Sequence, residues 1–149
     1  MSDMDCVQKL IAYASDANRL QAAQRVAAAK LLAYDGEKYP SDGCAITLST
    51  LLQDVGIDVP DIYRAIDLGI HLETNRSWTR VDVGNQQAGD VGSTCGPQAN
   101  HGSDHIYFVL QHMNADEMVI ADNQEPVPHF RFVSGQGRTP TKFFLRAPA

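Results

Sequence analysis

The sequence predicts an α+β domain in which the helices come first and an antiparallel sheet follows. Apolar residues recur at helical spacing through residues 3–34, where alanine is abundant, and again from Cys44 to Asp54. From Trp78 onward the pattern changes to short apolar runs separated by turn-forming residues. The chain of 149 residues shows no internal repeat and no linker, so we expect one domain.

Composition argues against several classes of protein. Hydrophobic residues make up 44% of the chain and charged residues 20%, as in a globular domain with a real core. The net charge of −6 argues against binding to nucleic acid or to an anionic membrane surface. No apolar run is long enough to span a membrane. The acidic start lacks the apolar core of a signal peptide, so we expect synthesis in the cytoplasm, with any export by a signal-independent route.

Turn-forming residues divide the helical half of the chain. A break near residues 15–18 separates two helices within 3–34. Asp61 is predicted to cap a further short helix over 62–68 that ends at Gly69.

The second half of the chain is predicted to hold short antiparallel strands and tight connections. The turn at 114–117 joins two strands into a hairpin, and 134–140 makes a similar connection between the last two strands. Residues 92–104 are predicted to form a loop rich in Gly and Ser, without core residues. The predicted strands lie near 78–83 and at 105–113, 118–123, 130–133 and 142–146.

A cysteine and a histidine stand at the starts of two predicted elements. Cys44 begins a buried helix, where the helix dipole and free backbone N–H groups favour the thiolate, the nucleophilic form. The chain has three cysteines, so at least one is unpaired and a free reactive thiol is allowed. His105 opens a strand far downstream. If the two side chains meet, they form a Cys-His pair of the kind used in acyl transfer.

The hairpin register predicts which polar residue joins His105. If the four-residue turn pairs Met113 with Met118, alternation of side chains puts His105 and Asp122 on one face of the sheet and Asn123 on the other. A change of one residue in turn length exchanges Asp122 and Asn123. Asp122 is therefore the first choice for orienting the imidazole ring, and Asn123 is the alternative.

The roles of these residues follow from their chemistry. His105 deprotonates Cys44 or holds it as an ion pair, and the thiolate attacks a carbonyl to form a thioester. The Cys44 backbone N–H is placed to help an oxyanion hole. Tyr39, or Tyr34 farther upstream, is a candidate second donor.

Three motifs, in order, carry a resemblance to a known family. They are the run from Asp42 to Ala45 before an apolar helix, the Gly89-Asp90 pair before a strand, and the strand from His105 to Val109. A polar residue follows one strand later, at Asp122 or Asn123. Over roughly residues 40–124 the chain resembles papain-like cysteine amidohydrolases of the NlpC type and the related cysteine, histidine-dependent amidohydrolase/peptidase (CHAP) group.

The resemblance implies a fold and an activity. It implies one papain-like amidohydrolase domain over 1–149, with a helical N-terminal segment at 1–38 and a catalytic core at 39–149. Members commonly cleave amide bonds in bacterial cell-wall peptides, often after D-glutamate, so the implied partner is a peptidoglycan peptide. No cofactor is expected. Some small members are toxins delivered into rival bacteria, and such an antibacterial effector would imply an immunity or inhibitor protein as a second partner.

Other functions are compatible with the same residues. The same chemistry could deamidate protein glutamine, and a domain with this fold could be a catalytically silent binding module in which Cys44 is simply core packing. A metal-binding module would use Cys95, His101 and His105, but their spacing fits no common zinc pattern.

Overall fold

A computed structural model describes residues 1–100 and 104–149. It is an α+β structure, with its helices first and an antiparallel sheet after them. In the described residues the helices are α1 (Asp3–Ser15), α2 (Ala17–Asp35), α3 (Cys44–Asp54) and α4 (Ala65–Asn75). The strands are β1 (Thr79–Val81), β2 (Val91–Ser93), β3 (Ile106–His112), β4 (Glu117–Ala121), β5 (His129–Phe132) and β6 (Phe143–Arg146).

Local capping sets the ends of the first two helices. Ser2 and Asp5 form a capping box at the start of α1, each side chain bonding the other's backbone N–H. The Asp16 side chain accepts from the backbone of Asn18 and Arg19 and so starts α2, which confirms the predicted break near residues 15–18. Gly36, at a φ of 76°, ends α2 in the left-handed conformation that glycine adopts without cost.

The sheet carries apolar side chains on both faces. Its strand order is β1-β6-β2-β3-β4-β5, and every neighbouring pair is antiparallel. On β3, Ile106 and Phe108 belong to the large core shared with the helices. Tyr107 and Val109 alternate with them and join a second cluster on the opposite face, with Ile120. α3 packs on β3, so its first residue lies near the start of that strand.

The residue limits predicted for the fourth helix are wrong. The helix runs over Ala65–Asn75, with Arg64 at its N-cap, rather than over 62–68. Asp61 does not cap it, because that carboxylate is held by Lys30 and Gln53. Gly69 does not end the helix, since it lies inside it.

The prediction that residues 92–104 form a loop without core residues is also wrong at its start. Gly92 and Ser93 belong to β2, which pairs with both β3 and β6. A Cβ on Gly92 would lie 2.2 Å from the Tyr107 ring, so only glycine fits this close approach. Cys95 is buried as well. A strand of three residues containing glycine has no clear periodic signal, which explains the error.

The predicted connection between the last two strands is not a hairpin. β5 lies at one edge of the sheet beside β4, whereas β6 lies between β1 and β2 near the other edge. The chain therefore crosses the sheet between them. In the described part of the chain, none of the helices combines the length and apolar character needed to cross a membrane.

Candidate active site

The β3–β4 hairpin differs from its predicted register in two compensating ways. His112 pairs with Met118 at the turn, one residue off the predicted pairing. That shift alone would place Asn123 on the face of His105. A bulge at Leu110 then shifts the pairing by one more residue, so Val109 lies opposite Ile120. The two shifts restore the original alternation, and Asp122 returns to the face of His105.

The strand is held beside this bulge by the segment before β2. Val109 N donates to the Asp90 carbonyl, and Gly89 N donates to the Val109 carbonyl, both at 2.8 Å. The Asp90 side chain is bound in turn by Arg146, with N–O distances of 3.0 and 2.8 Å, and by the backbone N–H of Gln87. The Gly89-Asp90 motif therefore positions β3 relative to β2 and β6.

The predicted contact between the histidine and its orienting carboxylate is present. His105 Nε2 lies 2.8 Å from Asp122 Oδ2, and both side chains are buried. The other oxygen, Oδ1, lies 2.8 Å from His129 Nε2 and accepts from the backbone N–H of Gln124. Burial would raise the pKa of Asp122, but the hydrogen bonds from the two histidines outweigh it and hold the pKa below its ordinary range. Asp122 is therefore a carboxylate at neutral pH.

His129 is a site residue that sequence reasoning missed. It begins β5 and pairs with Ile120 on β4, which brings its ring to Asp122. In the sequence, His129 follows two prolines and begins a short edge strand, so its surroundings resemble an ordinary turn. The contact with Asp122 could be predicted only if the pairing of β4 with β5 were known.

Asn123 has a different position from Asp122. Its Nδ2 donates to the Pro40 carbonyl at 2.7 Å, and its Oδ1 is buried without a hydrogen-bond partner. Asn123 thus fastens the end of β4 to the loop that leads into α3. In this structure it supports the cleft wall, and Asp122 takes the contact with His105.

Cys44 is the first residue of α3, as predicted. No side chain caps this helix at Gly43, and the first backbone bond of its ladder runs from Thr47 N to the Gly43 carbonyl. The Cys44 and Ala45 N–H groups therefore precede the ladder. A Cβ on Gly43 would lie 3.0 Å from the Tyr39 ring, so glycine allows this close turn.

The thiol is protonated at neutral pH. Cys44 is 8% exposed, and burial raises the pKa of its thiol to about 11, although the backbone N–H groups of Ile106 and Ala45 act in the opposite direction. The Cys44 thiol donates to the Asp104 carbonyl, with Sγ 4.0 Å from the oxygen. The effect of desolvation on the thiol pKa is thus larger than the stabilisation of the thiolate predicted for the helix N-terminus.

Cys44 and His105 line the same cleft. Its volume is about 520 Å³, and it opens between the loop before α3, the start of β3 and the end of β4. Asp104, Asn123 and Gln124 also line it. The cleft is thus bordered by the thiol, the imidazole and several polar groups.

Tyr39 is directed to a neighbouring helix. Its hydroxyl lies 2.9 Å from Thr47 Oγ1, and burial raises its pKa to about 12. Tyr34 is exposed and stacks on Tyr63 at 3.8 Å between ring centroids. Neither hydroxyl is among the groups that line the cleft. The N–H groups of Cys44 and Ala45, which precede the hydrogen-bond ladder of α3, are the remaining candidates for stabilising an oxyanion.

The residues of the metal-binding alternative fall partly outside the described chain. Within residues 1–100 and 104–149, no three His, Cys, Asp or Glu side chains are grouped to hold a metal ion. His101 lies outside these residues, while Cys95 is buried and His105 is bound to Asp122. All three cysteines are free.

Comparisons with protein-family models, with curated proteins and with solved structures found no match to this chain.

Proposed function

We propose that this protein is a cysteine amidase or endopeptidase with a papain-like fold, and that it cleaves amide bonds in peptidoglycan stem peptides. The observation that carries the proposal is the hydrogen bond between His105 and the buried Asp122 carboxylate, beside a cleft that Cys44 also lines. A carboxylate that fixes an imidazole next to a helix-initial thiol is an arrangement suited to acyl transfer.

The protonation states support general-base catalysis. With a pKa of about 11, the Cys44 thiol keeps its proton until substrate binds. His105 donates from Nε2 to Asp122, which leaves Nδ1 as the basic nitrogen. Nδ1 takes the thiol proton as sulfur bonds to the substrate carbonyl carbon. The Asp122 charge stabilises the imidazolium that forms.

The rest of the cycle returns every group to its starting state. The oxyanion is stabilised by the N–H groups of Cys44 and Ala45 at the start of α3. His105 protonates the leaving amine, and the carbon–nitrogen bond breaks to give a thioester. Water, deprotonated by His105, then attacks the thioester, and the carbon–sulfur bond breaks to release the acid. His105 gives the proton that it took from water to the Cys44 sulfur, which restores the thiol.

The choice of cell-wall peptide as substrate follows the ordered motifs that resemble the NlpC and CHAP group. The same resemblance supports a role as a secreted antibacterial effector, with an immunity protein as its inhibitor. The polar lining of the cleft, which includes Ser41 and Gln124, suits a substrate with exposed amide groups.

The test is digestion of purified peptidoglycan, read by mass spectrometry of the released fragments. We expect peptide fragments with wild type and none with Cys44→Ser, which keeps the side-chain shape. His112→Gln, on an exposed part of β3, is the control and should release the same fragments. If wild type releases nothing, the cell-wall substrate is wrong. Release of ammonia from a glutamine-containing protein, again lost in Cys44→Ser, would then support the deamidase.

A further inference from the structure

The charged side chains that line the catalytic cleft are divided between its two ends. Asp42 and Asp104 line the cleft and also a recess of about 40 Å³ beside the start of α4. Both carboxylates therefore lie at the end of the cleft nearest α4. Lys38 and Gln124 line the cleft but not this recess, so they lie toward the opposite end. We call this opposite end the Lys38 end.

The side-chain amide of Gln124 is oriented by two contacts at the Lys38 end. Arg138 Nη1 donates to Gln124 Oε1 at 2.5 Å, so the amide oxygen is turned toward the guanidinium. The backbone N–H of Gln124 donates to Asp122 Oδ1 at 2.9 Å, which fixes the start of the side chain. Within the described residues, Gln124 Nε2 has no hydrogen-bond partner. Its two N–H groups are therefore left to donate to a ligand.

Two cations give the Lys38 end a positive potential. Lys38 is exposed on the loop before α3 and lines the cleft directly. Arg138 belongs to the connection between β5 and β6 and reaches the cleft through its bond to Gln124. Within residues 1–100 and 104–149, neither cation forms an ion pair with a carboxylate. Both charges can therefore act on an anion that is bound at Gln124.

Amide N–H donors beside two cations select a carboxylate as the ligand group. A neutral carbonyl could accept from Gln124 Nε2, but it would gain little from the charge of Lys38, whereas a carboxylate gains from both. An ammonium group would be repelled at this end. Cys44 lines the same cleft of about 520 Å³, a volume that holds a small ligand. The carboxylate and the amide under attack therefore belong to one substrate molecule.

We propose that Lys38 and Gln124 form a subsite for a free carboxylate of the amide substrate, with Arg138 as the positioning residue that orients Gln124. This rests on the proposed function, since it takes Cys44 as the point of attack. It extends that function by defining the substrate class, which is an amide with an ionised carboxylate near the scissile bond. Stem peptides with free carboxylates belong to this class, and the same peptides with carboxamides in their place bind more weakly.

The test measures binding without turnover. The full-length Cys44→Ala protein is titrated with N-acetyl-D-glutamic acid γ-methylamide, which has a free α-carboxylate, and with the corresponding α-carboxamide. NMR follows the side-chain amide of Gln124, which is assigned by its loss in Gln124→Ala. We expect saturable shifts, with the carboxylate ligand binding at least fivefold more tightly and this preference decreasing as salt is added. Absence of a saturable shift, or equal affinity for the two ligands, would overturn the subsite.

Charge variants separate recognition of the carboxylate from general effects on the cleft. Lys38→Met removes the charge but keeps a long side chain, and it should reduce the preference for the carboxylate ligand to less than twofold. Arg138→Met should also reduce this preference, while affinity for the carboxamide changes little in either variant. Lys9→Met, at an exposed position of α1 that does not line the cleft, is the matched control and should bind as the parent does. An unchanged preference in Lys38→Met would count against the subsite.

The subsite and the proposed function can fail separately. Binding of the carboxylate ligand at Gln124, with no hydrolysis of peptidoglycan or of any other amide by wild type, would overturn the proposed function alone. Hydrolysis of stem peptides by wild type at equal rates in their carboxylate and carboxamide forms would overturn the subsite alone.

Discussion

His129 Nε2 lies 2.8 Å from Asp122 Oδ1, so the buried carboxylate that orients His105 is held on its other oxygen by a second histidine. Both oxygens of Asp122 are thereby fixed in direction. The side chain cannot rotate without breaking a bond to one ring or the other. The orientation of the His105 ring therefore depends on a residue of β5, at the far edge of the sheet.

Replacing Asp122 with asparagine should abolish most activity. The amide can accept from one histidine only, and it no longer stabilises the imidazolium by charge. We expect kcat to fall about 10²- to 10⁴-fold with little change in KM. Steady-state kinetics would measure the decrease in kcat, with a substrate that contains the bond identified in the peptidoglycan digestion. A variant with near-normal kcat would show that His105 does not need the carboxylate.

Removing the second histidine should have a smaller effect. In His129→Gln the hydrogen bond to Asp122 Oδ1 is weakened or lost. Loss of a hydrogen bond worth about 1 kcal/mol predicts a decrease in kcat of at most about fivefold. Steady-state kinetics measure this decrease, and His112→Gln, remote from Asp122, should leave kcat unchanged. A decrease as large as that of Asp122→Asn would contradict a supporting role for His129.

The resting Cys44 thiol should react slowly at neutral pH. A pKa raised to about 11 means that roughly one thiol in 10⁴ is ionised near pH 7. The rate of alkylation by iodoacetamide should therefore rise about tenfold per pH unit until the pH approaches 11. Peptide mapping after alkylation at several pH values gives the rate for each cysteine. Rapid, pH-independent modification of Cys44 near neutrality would mean that it rests as a thiolate paired with His105.

The Asp122 carboxylate should also make stability depend on pH. The pKa of Asp122 is lower in the folded protein than in the unfolded chain, where it is about 3.9. The ionised carboxylate therefore contributes fully to the free energy of unfolding above about pH 3.9. This contribution is lost as the pH falls through the pKa of the folded state. We expect the melting temperature of wild type to decrease more steeply below about pH 4 than that of Asp122→Asn. Calorimetry of both proteins across this range tests the difference. Parallel curves would contradict a lowered pKa.

Local signals explain which features could be predicted from the sequence. The order of helices and strands, the break at Asp16 and the start of α3 at Cys44 follow from capping residues and from periodicity over ten or more residues. Long, strongly periodic segments carry enough side chains to define a buried face. The choice of Asp122 over Asn123 was also predicted, although through a turn pairing that is wrong by one residue and a bulge that the pattern does not reveal.

Features that depend on sheet order could not be predicted in this way. The contact of His129 with Asp122 requires β5 to pair with β4, and the burial of Cys95 requires β2 to lie between β3 and β6. These strands are three or four residues long, too short for alternation to distinguish them from loops. The high pKa of Cys44 depends on burial of the thiol in the folded protein, which the local sequence around Cys44 does not reveal.

The bulge at Leu110 determines which of two neighbouring side chains lies beside His105, and the alternative arrangement requires no substitution. With the bulge, the carboxylate of Asp122 meets His105; with regular pairing onward from His112 and Met118, the neutral amide of Asn123 would take that position. A gain or loss of one residue in this hairpin would thus exchange an acid for an amide beside the imidazole. Adjacent Asp and Asn residues place both chemistries within reach of a single-codon insertion or deletion, an evolutionary step that requires no substitution.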